Sequence, residues 1–226
     1  MNISPIAIFH SPLTSKFGAP RQSGLAGSLR GDIVFQPEYR HEEAIRGIEG
    51  FSHLWLIWEF SANRRSGTSL TVRPPRLGGN ERVGIFASRS PFRPNGLGLS
   101  VVRISAIDRS RTDGPVITVE GADLIDGTPI YDIKPYVAYS DSIADARSGF
   151  VDTHEWEPLE VVIPDEVAAL FSPADLQALR EVLSLDPRPR FHDDAARIYG
   201  LPFAGRDVKF RVEGRILIVM AAPKQA

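Results

Sequence analysis

Cysteine is absent from this chain of 226 residues. A disulfide, a thiolate-bound zinc ion and a cysteine nucleophile are therefore excluded, and several classes of enzyme with them. Long apolar runs are missing too, because the longest one, residues 54–60, is interrupted by Glu59 and is far shorter than a membrane span. Residues 1–5 lack the charged and apolar regions of a secretory signal, and the five histidines are too scattered to indicate a metal site. We therefore expect a cytoplasmic protein without membrane association or bound metal.

An excess of charge of one sign is also lacking, since 26 basic and 28 acidic residues leave a formal net charge of -2. The charges are nevertheless unevenly distributed along the chain. Residues 64–93 contain seven arginines and a single acid, Glu81, whereas residues 151–170 contain six acids and no lysine or arginine. Concentrated arginines gain affinity for phosphate by releasing counterions, and each offers a planar fork of donors. Both a nucleic-acid partner and a merely solvated arginine-rich loop are compatible with this pattern.

The apolar pattern indicates a mainly β protein with several short strands and few helices between them. The predicted strands are residues 3–9, 51–60, 82–88, 99–108 and 116–121. Leu54, Leu56 and Trp58 share one face of the second strand, and its other face is apolar as well, as in a strand covered on both sides. A short helix is predicted to begin at Pro37. Closely spaced strands of this kind favour an antiparallel sheet or barrel over parallel units with crossover helices.

The C-terminal third predicts a second, smaller unit of mixed α and β structure. Ser172 followed by Pro173 is typical of a helix N-terminus. The apolar residues on one face of this helix are Leu176, Leu179, Val182 and Leu183. Residues 208–220 alternate around Glu213-Gly214 and predict a hairpin. We therefore predict an antiparallel β-barrel domain over residues 1–145 and a small α+β domain over residues 157–226, separated by a segment rich in Ser, Asp and Gly.

Two loops combine arginine with proline. They are Arg73-Pro74-Pro75-Arg76-Leu77-Gly78-Gly79 and Ser88-Arg89-Ser90-Pro91-Phe92-Arg93-Pro94-Asn95. Proline stiffens the backbone between the arginines, so an anion would bind them with less loss of entropy. Any single arginine could instead bond a loop carbonyl, although this is less expected of all four together. The nearby Gly96-Leu97-Gly98 is not a nucleotide fingerprint, because the third glycine is missing and a strand follows.

A third motif is the turn Asp126-Gly127-Thr128-Pro129, which is followed by Tyr131-Asp132-Ile133-Lys134-Pro135-Tyr136. It places acids, a hydroxyl group and a lysine on one tight turn and on the strand after it. Taken alone, Asp-Gly-Thr-Pro is simply a good β-turn sequence. Its interest lies in its combination with the arginine loops.

Taken together, these segments resemble the TrmO (YaeB-like) family of S-adenosylmethionine-dependent tRNA adenine N6-methyltransferases. The matching blocks are Pro20-Arg21-Gln22-Ser23-Gly24, Arg46-Gly47-Ile48-Glu49-Gly50-Phe51-Ser52-His53-Leu54-Trp55, and residues 72–79, 84–100 and 123–136. They span most of residues 1–140 in the order of the family, which makes the resemblance far more specific than any one block. The tail resembles the small C-terminal domain of the family more loosely, through Asp186-Pro187-Arg188-Pro189 and residues 207–212.

The resemblance implies a β-barrel methyltransferase that acts as a homodimer and holds S-adenosylmethionine near the subunit interface. It implies that the substrate is the threonylcarbamoyl-adenosine beside the anticodon of a threonine tRNA, methylated at N6. The cofactor-binding residues that it implies are Pro20, Arg21, Gln22, Ser61, Ala62, Arg89, Leu99, Asp126, Gly127, Thr128 and Pro129. Ser61 and Ala62 are smaller than the polar residues typical of the family at that position.

Within this interpretation, Asp126 is our first candidate to accept the proton of the acceptor nitrogen and Asp132 the second. Asp126 could instead only bond the cofactor or cap its own turn. Arg73, Arg76 and Arg93 are candidates for the threonyl carboxylate, because a guanidinium offers a two-point partner, and Lys134 is a further candidate substrate contact. Two alternatives stay open: an RNA- or nucleotide-binding barrel without catalysis, and a methyltransferase with another acceptor.

Overall fold

The computed structural model of the chain describes residues 2–74, 81–112, 114–153, 157–188 and 194–225. Its main feature is a closed barrel of six antiparallel strands in the order β1-β2-β7-β6-β3-β8. The barrel strands are β1 (Ala7–His10), β2 (Arg30–Phe35), β3 (His53–Glu59), β6 (Leu97–Asp108), β7 (Val116–Glu120) and β8 (Thr128–Pro135). This confirms the predicted fold class. Closure pairs every barrel strand on both edges, so that no edge is left open for aggregation.

Side chains alternate in direction along each strand, so that every second side chain points into the barrel and fills it. In β3 the inward residues Leu54, Leu56 and Trp58 are buried, and the residues between them are half-buried. The barrel core also includes Phe9 of β1 and Ile33 of β2, both almost fully buried. Period-two alternation is what a strand requires when one face packs inward, and here the sequence already displayed it.

The strand registers bring three loops to the same end of the barrel. Phe9 pairs with Thr128, Arg30 pairs with Glu120, and Glu59 pairs with Leu97. The connections that leave this end are residues 11–29, 60–96 and 121–127, and we call them the mouth loops. Antiparallel order makes this unavoidable, because β1, β3 and β7 all end where β2, β6 and β8 begin.

Some elements differ from the sequence prediction. The predicted strand 82–88 contains only β5 (Val83–Gly84), which pairs with β4 (Thr71–Val72) and is followed by a 3-10 turn. The first strand begins at Ala7, where pairing with both neighbours begins. The helix predicted at Pro37 is a series of separate 3-10 turns instead, and Gly47 at φ 85° interrupts a regular helix.

The C-terminal sheet has the order β10-β11-β12-β9. Its elements are β9 (Glu160–Val162), β10 (Tyr199–Phe203), β11 (Arg206–Glu213), β12 (Ile216–Ala221) and the helices α2 (Asp165–Ala168) and α3 (Pro173–Ser184), while α1 (Ala138–Asp141) follows the barrel. The predicted helix start is confirmed, since Oγ of Ser172 accepts the N–H of Asp175 at 3.1 Å. Residues 154–156, inside the predicted boundary segment, lie outside the described residues. Within the described ranges, every helix is too short or too polar to traverse a lipid bilayer.

The core beneath the C-terminal sheet is not formed by C-terminal residues alone. Phe203, Phe210 and Leu179 are completely buried in it. Leu13 and Leu29, from the mouth loop 11–29, are buried in the same cluster. This loop therefore belongs to the barrel by connectivity and to the C-terminal core by packing.

Candidate functional site

Hydrogen bonds join the three mouth loops to one another. The N–H of Gly24 donates to the carbonyl of Gly121 at 2.8 Å, which ties loop 11–29 to loop 121–127. Nζ of Lys16 donates to the carbonyl of Ala62 at 3.2 Å, which ties the same loop to loop 60–96. Ala62 and the preceding Ser61 lie in the 3-10 turn Ser61–Ser66 that begins as β3 ends. The loops thus form one connected rim around the mouth of the barrel.

Arg89 and Gln22 meet on this rim. Nη1 of Arg89 donates to Oε1 of Gln22 at 2.5 Å, although the two residues are 67 positions apart in sequence. In the same segment as Gln22, Pro20 is buried and Arg21 is exposed. Four of the residues that the family resemblance implied for the cofactor therefore lie together at one place.

A chain of polar side chains runs from the barrel interior to the mouth. Nε1 of Trp58 donates to Oγ of Ser100 at 2.9 Å, and the Ser100 hydroxyl donates to Oδ1 of Asp123 at 2.5 Å. Trp58 and Ser100 are 5% and 1% exposed, so both would be costly to bury without these bonds. These hydrogen bonds hold the Asp123 carboxylate on the inner side of the rim, next to the barrel core.

Burial raises the pKa of Asp123 above the ordinary value, because removal from water penalises the charged form most strongly. The Ser100 hydroxyl, backbone N–H groups that include Ser23, and the charge of Arg89 all oppose this increase. Asp123 is therefore a half-buried acid with hydrogen-bond donors and a cation nearby. Acids whose pKa is shifted by burial next to a charged partner are often found at functional sites.

The turn that begins at Asp126 closes the other side of the mouth. Oδ1 of Asp126 accepts the N–H of Ser11 at 3.1 Å and lies 3.1 Å from Nδ1 of His10. Gly127 has a φ of 74°, which favours glycine, and its N–H donates to the carbonyl of Phe9 at 2.9 Å. The aspartate that we singled out as a candidate proton acceptor thus also connects its turn to the end of β1 and the start of loop 11–29.

Thr128 and Pro129, the last two residues of the turn, open β8 and are buried. Oγ1 of Thr128 donates to the carbonyl of Ile125 at 2.7 Å, so this hydroxyl is engaged inside the turn. Beside the turn lies a groove of about 260 Å³, whose lining includes His10, Arg30 and Asp126. A basic residue, Arg30, and an acidic residue, Asp126, therefore both border the groove at the mouth.

The remaining residues predicted for the site are more dispersed. The guanidinium of Arg93 lies 3.4 Å from the carbonyl of Ser88 through both Nη atoms, a long contact within its own loop. Arg73 is exposed just after β4. Leu99 faces outward from β6 and is 56% exposed, whereas Ser100 beside it faces inward. Arg76 lies outside the described residues.

Lys134 and Asp132 are not brought to the mouth. They pair with each other at 3.1 Å on β8, where Lys134 lies opposite Trp55 in the register. Lys134 lies six positions after Thr128, which at about 3.3 Å per residue is roughly 20 Å along the strand. The structure thus groups Asp126 with the rim and leaves Lys134 near the far end of the barrel.

Sequence reasoning missed Asp123, Ser100, Trp58 and His10 as members of the site. Asp123 did carry a usable signal, because it is an isolated acid between the apolar Ala122 and Leu124, directly after a predicted strand. A charged residue in an apolar context is informative because burial of a charge needs compensation. Among the described residues, no group of three or more His, Cys, Asp or Glu side chains is arranged to hold a metal ion.

Comparison with known proteins decides the family. The model of the tRNA-methyltransferase O N-terminal domain matches residues 8–142, and the model of the TrmO C-terminal domain matches residues 157–225. The chain belongs to the tRNA-methyltransferase O family. Membership confirms the resemblance found in the sequence, together with the predicted enzyme class, an S-adenosylmethionine-dependent tRNA adenine N6-methyltransferase.

Relatives match over nearly the whole chain. A protein of Escherichia coli named tRNA (adenine(37)-N6)-methyltransferase is 36% identical over 215 residues, which are 92% of this chain and 91% of the relative. A Pseudomonas aeruginosa relative whose name assigns it to the S-adenosylmethionine-dependent methyltransferases is 38% identical over 214 residues, 92% of this chain and 90% of its own. A crystal structure of TrmO from P. aeruginosa superposes with a TM-score of 0.79 at 31% identity, and covers all of this chain and 97% of its own. The TrmO fold therefore extends over both the barrel and the C-terminal sheet.

Proposed function

We propose that the protein transfers a methyl group from S-adenosylmethionine to N6 of threonylcarbamoyl-adenosine beside the anticodon of a threonine tRNA, with both ligands meeting at the mouth loops. The observation that carries the proposal is the convergence of Gln22, Arg89 and Asp123 at one end of the barrel, with Asp126 on the neighbouring turn. Family membership supports a tRNA adenine as the acceptor. The mouth supplies the mixed set of donors and acceptors that such a reaction needs.

The donor chemistry of the mouth fits this cofactor. S-adenosylmethionine carries an ammonium group, a carboxylate, ribose hydroxyls and a sulfonium, and it supplies an electrophilic methyl group when bound. Arg89 would pair with the carboxylate, because a guanidinium is the natural partner of one. Asp123, backed by Ser100, would accept from an ammonium or hydroxyl group. The family resemblance adds Pro20, Arg21, Ser61, Ala62 and Leu99, and the turn residues Gly127, Thr128 and Pro129, as further proposed contacts.

The contribution of the protein to the reaction is mainly alignment. Methyl transfer requires the donor carbon, the leaving sulfur and the acceptor nitrogen in line, and orientation alone can supply roughly 7–11 kcal/mol in favourable model systems. The hydrogen-bonded rim is suited to this task, because bonds between its loops limit their relative movement. Gln22 is held by Arg89, and the Gly24 N–H is held by Gly121. A fixed rim holds both ligands without reorganisation at the moment of reaction.

The acceptor N6 must lose a proton when it gains the methyl group. We propose Asp126 as the group that accepts it, because its carboxylate borders the groove at the mouth. Ser11 and His10 both meet Oδ1, which fixes the carboxylate in one orientation. Asp132 is a weaker candidate, since it pairs with Lys134 on the body of β8.

A cationic side chain near the rim would bind the threonyl carboxylate of the substrate. Arg93 is the best placed of the three arginines considered, because this half-buried residue makes long contacts of 3.4 Å to the Ser88 carbonyl in the loop that carries Arg89. Arg73 is exposed in the same mouth loop and would contact either this carboxylate or a tRNA phosphate. We propose Arg76 for the same role from the sequence pattern alone.

We further propose that the protein is a cytoplasmic homodimer with its cofactor site near the interface. Four large apolar side chains of the mouth region are exposed in the isolated chain: Leu70, Phe86, Phe92 and Leu99. Exposed apolar groups on one loop and on the strand that follows it can form an interaction surface. A second copy of the chain over this surface would bring Leu99 close to the ligands without requiring its side chain to face inward.

A direct assay tests the proposal. The purified protein should bind S-adenosylmethionine in calorimetry and should methylate threonine tRNA that carries threonylcarbamoyl-adenosine, with the product identified by mass spectrometry of nucleosides. The same tRNA lacking the threonylcarbamoyl group should remain unmodified. Methylation of the unmodified adenosine would indicate another acceptor, and RNA binding without cofactor affinity would favour a barrel that binds RNA without catalysis.

A further inference from the structure

The mouth loop 11–29 is held by the C-terminal unit on both sides of its central segment. Before that segment, Leu13 forms a β-bridge with Phe203, and after it Leu29 is buried in the C-terminal core. Ala26 is 1% exposed in the same cluster. The central segment, residues 20–22, is the part that the proposed function assigns to the cofactor.

Close aromatic and aliphatic packing reinforces the first of these attachments. The Phe17 ring stacks on those of Tyr199 and Phe210, with centroids 6.4 Å and 6.3 Å apart. Gly18 lies directly against Leu201, since a Cβ added to the glycine would be 2.2 Å from Cδ1 of the leucine. A larger residue at this contact would require at least the Leu201 side chain to shift.

A carboxylate of helix α3 forms the second attachment. Oε2 of Glu181 accepts the N–H of Ser28 at 2.7 Å, and Oε1 accepts the Ser28 hydroxyl at 2.7 Å. Gln177, one turn earlier, donates its Nε2 to Oε1 at 2.9 Å and orients the carboxylate. Both bonds to Ser28 are short and involve an ionised acceptor, which makes them stronger than neutral ones.

The opposite side of the loop meets the other parts of the proposed cofactor site. Gln22 contacts Arg89, the Ser23 N–H approaches the carboxylate of Asp123, and Gly24 bonds Gly121. The segment is therefore held between the C-terminal unit on one side and the cofactor-facing loops on the other. Displacement on the first side must change the geometry on the second.

We propose that the C-terminal unit, residues 157–225, is a positioning part of the cofactor site, in which Glu181 acts through Ser28 to fix residues 20–22. The proposal rests on the proposed function, because it takes residues 20–22 as cofactor contacts. Glu181 is a positioning residue in this scheme, since it bonds Ser28 and not the ligand. The unit thus has a role in donor affinity that is separate from any contact with tRNA.

The test uses Glu181→Ala, Ser28→Ala and the double variant in the full-length protein. Donor affinity is measured by calorimetry, and turnover on threonylcarbamoylated tRNA at saturating donor. Loss of a charge-assisted pair should raise the Kd of S-adenosylmethionine about tenfold in Glu181→Ala, while turnover at saturation stays within about twofold. Ser28→Ala should show a smaller increase, and the double variant should equal Glu181→Ala, since both substitutions act through one contact.

Hydrogen exchange reports the position of the loop directly. Peptides from residues 11–29 should exchange faster in Glu181→Ala, and peptides from β10, β11 and β12 should not. Glu213→Ala is the matched control, because Glu213 pairs with Arg211 on the exposed side of β11 and should leave affinity and exchange unchanged. Glu181→Gln, which keeps one oxygen acceptor, should recover part of the affinity.

Three results would decide against the proposal. Faster exchange of residues 11–29 with an unchanged donor Kd would show that the support is structural only. If hydrogen exchange shows that Glu181→Ala also loosens β10–β12, the donor Kd of Ser28→Ala decides between the explanations. An unchanged donor Kd in Ser28→Ala would overturn the proposal. Equal losses of affinity in Glu213→Ala would do the same. If the unaltered protein does not bind the donor at all, the proposed function fails first, which separates the two failures.

Discussion

The hydroxyl of Ser100, inside the barrel, donates to the carboxylate of Asp123, which follows β7 in a mouth loop. Ser100 in turn accepts from the indole of Trp58, so a single polar path connects the apolar core to the rim. Burying polar groups costs free energy unless each of them is hydrogen-bonded. Here Trp58 donates to Ser100, and Ser100 donates to Asp123. Asp123 is thereby fixed where the loops that bear Gln22 and Arg89 converge.

Asp123→Asn should raise stability at neutral pH while it lowers donor affinity. Because the pKa of Asp123 is raised in the folded protein, its contribution to stability is complete below the ordinary value of 3.8 and is lost as pH rises through the folded value. The neutral variant avoids this loss, and each tenfold change in proton affinity corresponds to about 1.4 kcal/mol. Urea titrations across a pH series should show similar unfolding free energies for the wild type and Asp123→Asn at acid pH. The difference between the two should grow as the pH rises.

The same variant should bind S-adenosylmethionine about tenfold more weakly at neutral pH, because a charged acceptor is lost. Asp145→Asn is a suitable control, since Asp145 is an exposed acid that follows α1. A wild-type protein that gains stability relative to Asp123→Asn as pH rises would contradict the assignment of a raised pKa to Asp123.

Gly98→Ala should disturb the polar path from inside the barrel. A Cβ at this position would lie 2.3 Å from Cε2 of Trp58, so the indole that donates to Ser100 must shift. Overpacking of this kind costs about 1–3 kcal/mol, and donor affinity should fall with it. Thermal denaturation and calorimetry would measure both effects. Gly84→Ala, where an added Cβ meets nothing within 4 Å, should change neither.

Arg93→Ala should reduce turnover of threonylcarbamoylated tRNA while the affinity for S-adenosylmethionine stays within about twofold. The loss of a charge-assisted contact to the threonyl carboxylate predicts a decrease of roughly tenfold or more in kcat/KM. Arg89→Ala is the matched comparison in the same loop and should weaken donor binding instead, because Arg89 bonds Gln22. If Arg93→Ala abolished donor binding, the assignment to the substrate would be wrong.

Asp126→Asn should lower turnover at saturating donor and leave the donor Kd nearly unchanged. General-base catalysis typically contributes about 10²–10⁴-fold, and the amide removes the proton acceptor. The contact with loop 11–29 should persist, because an amide oxygen can still accept the Ser11 N–H. Single-turnover kinetics would measure the effect. Unchanged rates would show that Asp126 only connects its turn to loop 11–29.

Leu99→Asp should convert the proposed homodimer to a monomer. Leu99 is 56% exposed in the single chain, and the proposed dimer would cover it. A carboxylate at this position would therefore have to be buried in the dimer. Light scattering after size exclusion should report the change in mass, and Ile198→Asp, exposed at 55% in the C-terminal unit, should not alter it. A wild-type protein that elutes as a monomer would refute the dimer outright.

Local features of the fold could be predicted from the sequence. Period-two alternation predicted β3 because inward and outward residues differ in chemistry, and a serine followed by proline predicted the start of α3 because both satisfy helix-end geometry. The strand predicted over residues 82–88 was wrong beyond Val83–Gly84. Its residues are compatible with a strand, but extended pairing needs a partner that the fold does not provide.

The sequence by itself determined the alternation that buries one face of β3, the residue at which α3 begins and the family to which the chain belongs. Only the tertiary structure decided that Asp123 reaches Ser100, that Arg89 meets Gln22, and that loop 11–29 packs beneath the C-terminal sheet. The physical reason is that alternation and capping depend on neighbouring residues. Contacts between loops depend instead on strand order and register, which are settled when the barrel closes.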